Sequence, residues 1–134
     1  MSETDNVNHP PHYTSGMPAI EPECFDFAVS MSFCQGNAFK YVWRAGKKGD
    51  AIEDLQKALW YLGRAYLIFP EDGRVPPAWY FYYKKAKKLA SDAFIKDKLD
   101  ILDLICNSFY KSAIKEIENM IATYYDQQEE KKNV

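Results

Sequence analysis

Long apolar runs are missing from this chain. No stretch approaches the roughly 18 residues that a membrane-spanning helix needs. Cysteine is scarce as well: Cys24, Cys34 and Cys106 are the only three, and no CxxC pair occurs. An odd count without that spacing argues against a disulfide frame or a zinc site, and predicts reduced, buried thiols. Histidine is scarcer still, limited to His9 and His12. Neither sign of charge prevails, since the formal net charge is −2. That balance speaks against a general nucleic-acid coat and leaves room for a local anion site. Residues 1–8 have neither a basic nor an apolar leader segment, so no signal peptide is expected and the expected location is cytoplasmic. No GxxxxGK[ST] loop, GxGxxG fingerprint or GxSxG elbow is present. Internal repeats and β-type alternation are lacking too.

What remains is helical. A chain of 134 residues fits one domain. The expected fold is all-α: a small single-domain helical bundle with an irregular N-terminal arm. The arm, residues 1–19, holds both histidines and enough proline to forbid regular structure. A core of helices is expected over residues 20–69. Its first helix starts near Pro22, which a first turn tolerates, and runs through Phe25, Phe27, Val29 and Met31 until Cys34-Gln35-Gly36 interrupts it. A second covers about 37–45 and ends at Gly46. A third opens on Asp50 as N-cap with Glu53 three residues on. There Ile52, Leu55, Leu59 and Leu62 recur at the helical period.

Residues 70–77 read as a connector. Helices are expected over 78–125, with a possible break at Asn107-Ser108 and an apolar stripe of Leu99, Leu102, Ile105, Phe109, Ile114, Ile117 and Ile121. Residues 126–134 read as a disordered, charged tail. Five aromatics in a row, Trp79 to Tyr83, point round most of a helix circumference. One core cannot take them all, so a homo-oligomer contact is expected there.

The chemistry lies before Pro70. Asn37, Lys40 and Arg44 are spaced by three and four, so they share a helix face. With Lys47 and Lys48 they place four cations within nine residues, with no acid among them. Arg offers a planar fork matched to phosphate oxygens, and Lys a mobile point charge. Gly36 would let a ligand approach the backbone. Asn37, read at the start of a helix, would sit among free N–H groups that suit an anion. The plainer reading is a solvated basic face balanced by Glu53, Asp54 and the acidic first helix. His9 and His12 suit phosphate contact or proton transfer near neutral pH, or simply the capping of backbone groups in a rigid arm.

These strings carry a resemblance. VNHPPHY (7–13), IEPECFD (20–26), GNAFKYVWRAGKK (36–48) and IEDLQKALWYL (52–62) resemble a domain family spread through bacteriophages and catalogued as a domain of unknown function. Its characterised relatives are the podophage nucleoside monophosphate kinases, which lack a P-loop and act on dTMP and dGMP. The resemblance implies a deoxynucleotide-binding protein that transfers a phosphoryl group to a dNMP. ATP or another nucleoside triphosphate would be the donor, with a magnesium requirement left open.

The family motif maps onto His9, Pro10, His12 and Tyr13, and onto Gly36, Asn37, Lys40, Tyr41, Arg44, Gly46, Lys47 and Lys48. On that mapping Lys40, Arg44, Lys47 and Lys48 bind phosphates and Asn37 a phosphate or sugar. His9, His12 and Arg44 are the catalytic candidates. Tyr13, Tyr41, Trp43 and Trp60 are candidates for base stacking. No protein metal site is expected.

Two alternatives stand beside this. One is a non-enzymatic protein that binds a nucleotide or a host protein. The other is an all-α nucleoside triphosphate pyrophosphatase, which 53–62 also resembles. Such an enzyme needs clustered carboxylates for Mg²⁺. Asp97, Asp100 and Asp103 are the candidates, although Lys57 stands where an acid would be expected.

Overall fold

The computed structural model describes residues 24–29, 31–47, 49–70 and 96–132. Five α-helices and no strand occur among them: α1 Cys24–Ala28, α2 Phe33–Arg44, α3 Ala51–Ile68, α4 Leu99–Cys106 and α5 Tyr110–Lys132. The all-α expectation holds. The arm, the connector and the aromatic run at 79–83 lie outside the described residues, and the oligomer contact expected there lies outside with them. Among the described residues no helix is long and apolar enough to cross a membrane.

The first helices depart from the reading in an instructive way. The chain breaks after α1, at Val29 and Met31, not at Cys34-Gln35-Gly36. Ser32 is the N-cap of α2, and its Oγ accepts from the Gln35 N–H at 3.3 Å. Gly36 therefore lies inside α2. A Cβ placed there would meet the Ala28 carbonyl oxygen at 3.3 Å and the Met31 Cβ at 3.6 Å. The absence of a side chain at 36 is thus accounted for by the close packing of α1 against α2.

The turn between α2 and α3 follows expectation. Gly46 and Gly49 both take positive φ, 87° and 72°, the region that favours glycine. Asp50 caps α3 through Oδ1, which accepts from the Ile52 N–H at 2.9 Å and the Glu53 N–H at 3.4 Å. Glu53 turns its carboxylate to Lys57 at 3.1 Å. The apolar face is Ile52, Leu55, Ala58, Leu62 and Ala65, all buried. Leu59 is partly covered, and the helix stops before Pro70.

Beyond residue 96, the break expected at Asn107-Ser108 is present. Ser108 takes φ 63° between α4 and α5, a conformation that costs a residue with a Cβ. Tertiary bonds offset that cost. The Gln35 amide, buried in α2, donates to the Ile105 carbonyl at 2.8 Å and to Ser108 Oγ at 3.4 Å. Of the expected stripe, Leu102, Ile105 and Ile117 are buried, while Phe109 is exposed. Ile101, Cys106, Tyr110 and Ala113 fill the core in its place. Residues 126–132 are exposed as expected, yet they continue α5 as helix. Glu129 pairs with Lys132 at 3.7 Å, and Lys131 and Lys132 suit the negative end of the helix dipole.

α3 packs against α2 on one side and α5 on another, and α4 rests on both α2 and α5. The centre is aromatic. Phe27, Phe39 and Trp43 lie with ring centroids 5.5–5.9 Å apart, and all three are sealed from solvent. Each such side chain contributes roughly 1.5–3 kcal/mol by leaving water. Cys24 and Cys106 are buried, as expected of reduced thiols, whereas Cys34 is only partly covered.

Candidate functional site

α2 presents its two halves to different surroundings. Ala38, Phe39, Val42 and Trp43 face the core. Lys40, Tyr41 and Arg44 face outward, alongside α3. The core side anchors that outer face, because Trp43 fills the bundle directly behind it. The end of α2 is held by Lys98, a buried lysine whose Nζ donates to the Trp43 carbonyl at 2.8 Å and to the Ala45 carbonyl at 2.9 Å. A cation on the last carbonyls of a helix satisfies groups that have no partner within the helix, and it complements the dipole.

Tyr41 is the hub of the outer face. Its ring stacks on Tyr61 of α3, with centroids 5.9 Å apart and planes 15° apart. Three cations surround the same ring: Lys40 Nζ at 4.5 Å, Lys57 Nζ at 5.5 Å and the Arg44 guanidinium carbon at 5.8 Å from its centroid. Each draws on the negative face of the ring. Like charges gathered so closely repel, and two carboxylates relieve part of that repulsion. Glu53 pairs with Lys57. Asp54 Oδ2 lies 3.5 Å from Arg44 Nε. The count at the cluster is then three cations to two acids, so the balance expected of a plain solvated face is only partial. Lys40 donates to the Asn37 side-chain oxygen at 3.1 Å.

The aromatic surface continues beyond Tyr61. Trp60 meets it edge-on at 5.0 Å, and Phe33 at 6.0 Å. Trp60 is 56% exposed, with the Arg64 guanidinium 4.9 Å from its centroid. Cations and open aromatic rings thus lie side by side. In general, cations of this kind suit phosphate oxygens and open rings suit a planar base.

The expected residues divide accordingly. Asn37, Lys40, Tyr41 and Arg44 come together as their spacing requires. Asn37, however, stands in the second turn of α2, where its Nδ2 donates to the Phe33 carbonyl at 2.8 Å. It has no place among free N–H groups at a helix start, and the anion seat assigned to it there is withdrawn. Trp43 is fully buried and cannot stack on a base. Gly36 packs helices. Lys47 lies in the turn after α2, where its N–H donates to the Arg44 carbonyl at 2.9 Å. His9, His12, Tyr13 and Lys48 lie outside the described residues.

Tyr61 went unread in the sequence, Lys57 was read only as standing where an acid would be expected, and Asp54 was read only as an acid balancing the basic face. Their signal was the 54, 57, 61 spacing on α3, which lines one helix face. It becomes meaningful only once α2 is known to lie alongside.

The acids proposed for Mg²⁺ fare differently. Asp97 and Asp100 are exposed on the α4 side of a groove of about 480 Å³, with Glu116, Tyr124 and Gln127 of α5 opposite. Among the described residues no three His, Cys, Asp or Glu side chains gather as a ligand set. Asp97, Asp100 and Asp103 therefore do not converge on a metal position.

No curated protein and no solved structure matches the chain. A family match does exist, and it spans α1, α2 and α3 as far as Gly63, and with them Lys40, Tyr41, Arg44, Asp54, Lys57 and Tyr61. Residues 7–63 match DUF3310, a family described as a protein of unknown function.

Proposed function

We propose that the outer face of α2 and α3 binds a deoxynucleotide, and that the protein is a nucleoside monophosphate kinase without a P-loop. In this reading Arg44, Lys40 and Lys57 take the phosphates. Tyr61 and the open ring of Trp60 take the base. The observation that carries it is the set of three cations around the Tyr41 ring beside exposed aromatic surface. Phosphoryl transfer asks mainly for positioning and charge neutralisation, and no covalent residue is required. The resemblance of 7–13 and 36–48 to the podophage kinases supplies the reaction: transfer from ATP or another nucleoside triphosphate to a dNMP such as dTMP or dGMP. His9 and His12 are the proposed proton-handling or positioning groups. Self-association through 78–88 belongs to the same reading, and light scattering at micromolar concentration is expected to give at least a dimer.

The test is to incubate the full chain with each dNMP plus ATP, and separately with each dNTP alone, and to resolve the products. Diphosphate formed from monophosphate is the expected result. Monophosphate plus pyrophosphate formed from triphosphate would replace the kinase with a pyrophosphatase. Measurable nucleotide binding with no product in either arm would leave a sequestering protein. No binding and no product would overturn the reading entirely.

A further inference from the structure

Arg44 has a partner whose burial sets it apart from the rest of the cluster. The Asp54 side chain is 4% exposed, against 25% for that of Arg44. Arg44 Nε and Asp54 Oδ2 are both buried, and neither forms a hydrogen bond among the described residues. Each depends on the other across their 3.5 Å separation. Since Nε is buried against Asp54 and the side chain as a whole stays a quarter exposed, the exposed part of Arg44 lies elsewhere along it.

We infer that Asp54 is a positioning residue: its buried carboxylate fixes the Nε edge of Arg44, so that the outer guanidinium nitrogens are aimed at an anion shared with Lys40 and Lys57. This rests on the phosphate-binding reading above and deepens it. An unrestrained arginine holds several rotamers, and ordering it on binding costs affinity. A carboxylate on Nε removes that cost beforehand and leaves the fork free for a bidentate contact. Asp54 suits the task because α3 fixes it: its N–H donates to the Asp50 carbonyl at 3.1 Å in the first turn. Burial is the largest influence on its carboxyl and pushes the pKa above the ordinary range, with Arg44 and then Lys57 opposing. Asn has nearly the same shape and volume as Asp and keeps a side-chain oxygen, so it is the substitution that disturbs the packing at 54 least.

The experiment uses the full chain as wild type, Asp54→Asn, Arg44→Ala and the double variant. Inorganic pyrophosphate and dTMP are the calorimetric probes, and helical circular dichroism confirms folding. Asp54→Asn is expected to weaken pyrophosphate binding about tenfold in the wild-type background and not at all in the Arg44→Ala background, because Asp54 acts through Arg44. In ¹⁵N spectra the Arg44 Nε–H signal, assigned by its absence from Arg44→Ala, is expected to be dispersed in the wild type. It should collapse to the position of a free arginine in Asp54→Asn. An equal loss in both backgrounds would make Asp54 merely structural. An unmoved Nε–H signal would overturn the positioning role whatever the affinities. A wild type that binds neither probe would overturn the phosphate reading, and the Nε–H signal alone would then decide whether Asp54 positions Arg44.

Discussion

The outer face of α2–α3 and the groove between α4 and α5 are both lined by charged and aromatic side chains, and they differ in how the charge is held. In the first, Lys40, Arg44 and Lys57 converge on one ring, two carboxylates bracket them, and Trp43 closes the bundle behind. In the second, Asp97, Asp100 and Glu116 line an open groove and gather on no common centre. Acids spaced by three on a helix are therefore not a site by spacing alone. A site needs a second element that brings partners to the same point, as α3 does for α2. Sign matters as well, because an acidic groove would repel an anion that a cationic face would attract.

Four measurements separate the two regions, in order of decreasing effect. The largest concerns what stands behind the cationic face. Trp43→Ala is expected to cost about 3–5 kcal/mol of stability, read as a lower urea midpoint. Tyr124→Ala on the groove wall, only half-buried, should cost less. Equal costs would mean that the face has no special support.

Next comes charge. Arg44→Ala is expected to weaken dTMP binding by roughly 1.5–3 kcal/mol, through loss of a charge-assisted contact. Arg44→Lys should be impaired too, since lysine lacks the fork. Glu116→Gln in the groove and Lys131→Ala near the C-terminal end of α5 should leave binding unchanged in the same calorimetric titration. If Glu116→Gln matters as much as Arg44→Ala, the two regions have been assigned the wrong way round.

The third concerns the two tryptophans of the α2–α3 pair. Trp60→Ala, at an exposed position, should leave the urea midpoint nearly unchanged while weakening dNMP binding by about 1 kcal/mol, the lower end for a stacked base. Loss of stability without loss of binding would remove Trp60 from the site.

The smallest effect is on pH dependence. Burial raises the Asp54 carboxyl above its ordinary value of 3.8, so the folded state holds that proton more tightly than the unfolded chain. The group's contribution to stability is therefore greatest below about 3.8 and declines as pH rises through the elevated folded value. The advantage in urea midpoint of wild type over Asp54→Asn should shrink as pH rises across that window, and a constant difference would contradict the assignment.

Much of the fold was legible from local chemistry. Asp50 and the 52, 55, 62 spacing marked α3, Gly46 marked the end of α2, and Asn107-Ser108 marked the break before α5. The misreadings share one cause, which is tertiary contact. Gly36 read as a breaker because its purpose, clearance for Ala28, exists only after α1 folds back. Shifting the start of α2 to Ser32 then removed Asn37 from a helix terminus. Trp43 was read as a candidate for base stacking, because its burial against Phe27 and Phe39 exists only once α1 folds back. Lys98 and Gln35 carry no signal at all in the sequence, since their partners lie 53–73 positions away. Of the site, spacing revealed the α2 half. The α3 half stayed hidden because the Lys57 and Asp54 charges looked like ordinary surface until Tyr41 was placed beside them.

Phosphate chemistry on the face around Tyr41, as proposed above, can be tested by spectroscopy. Its most direct test is a titration of the full ¹³C,¹⁵N-labelled chain with dTMP, following side-chain signals of Lys40, Arg44, Lys57, Tyr41 and Tyr61 together with those of Asp100, Glu116 and Tyr124. Saturable shifts confined to the first group, lost in Arg44→Ala, are the predicted result. Shifts confined to the second group, or none in either at millimolar dTMP, would contradict it.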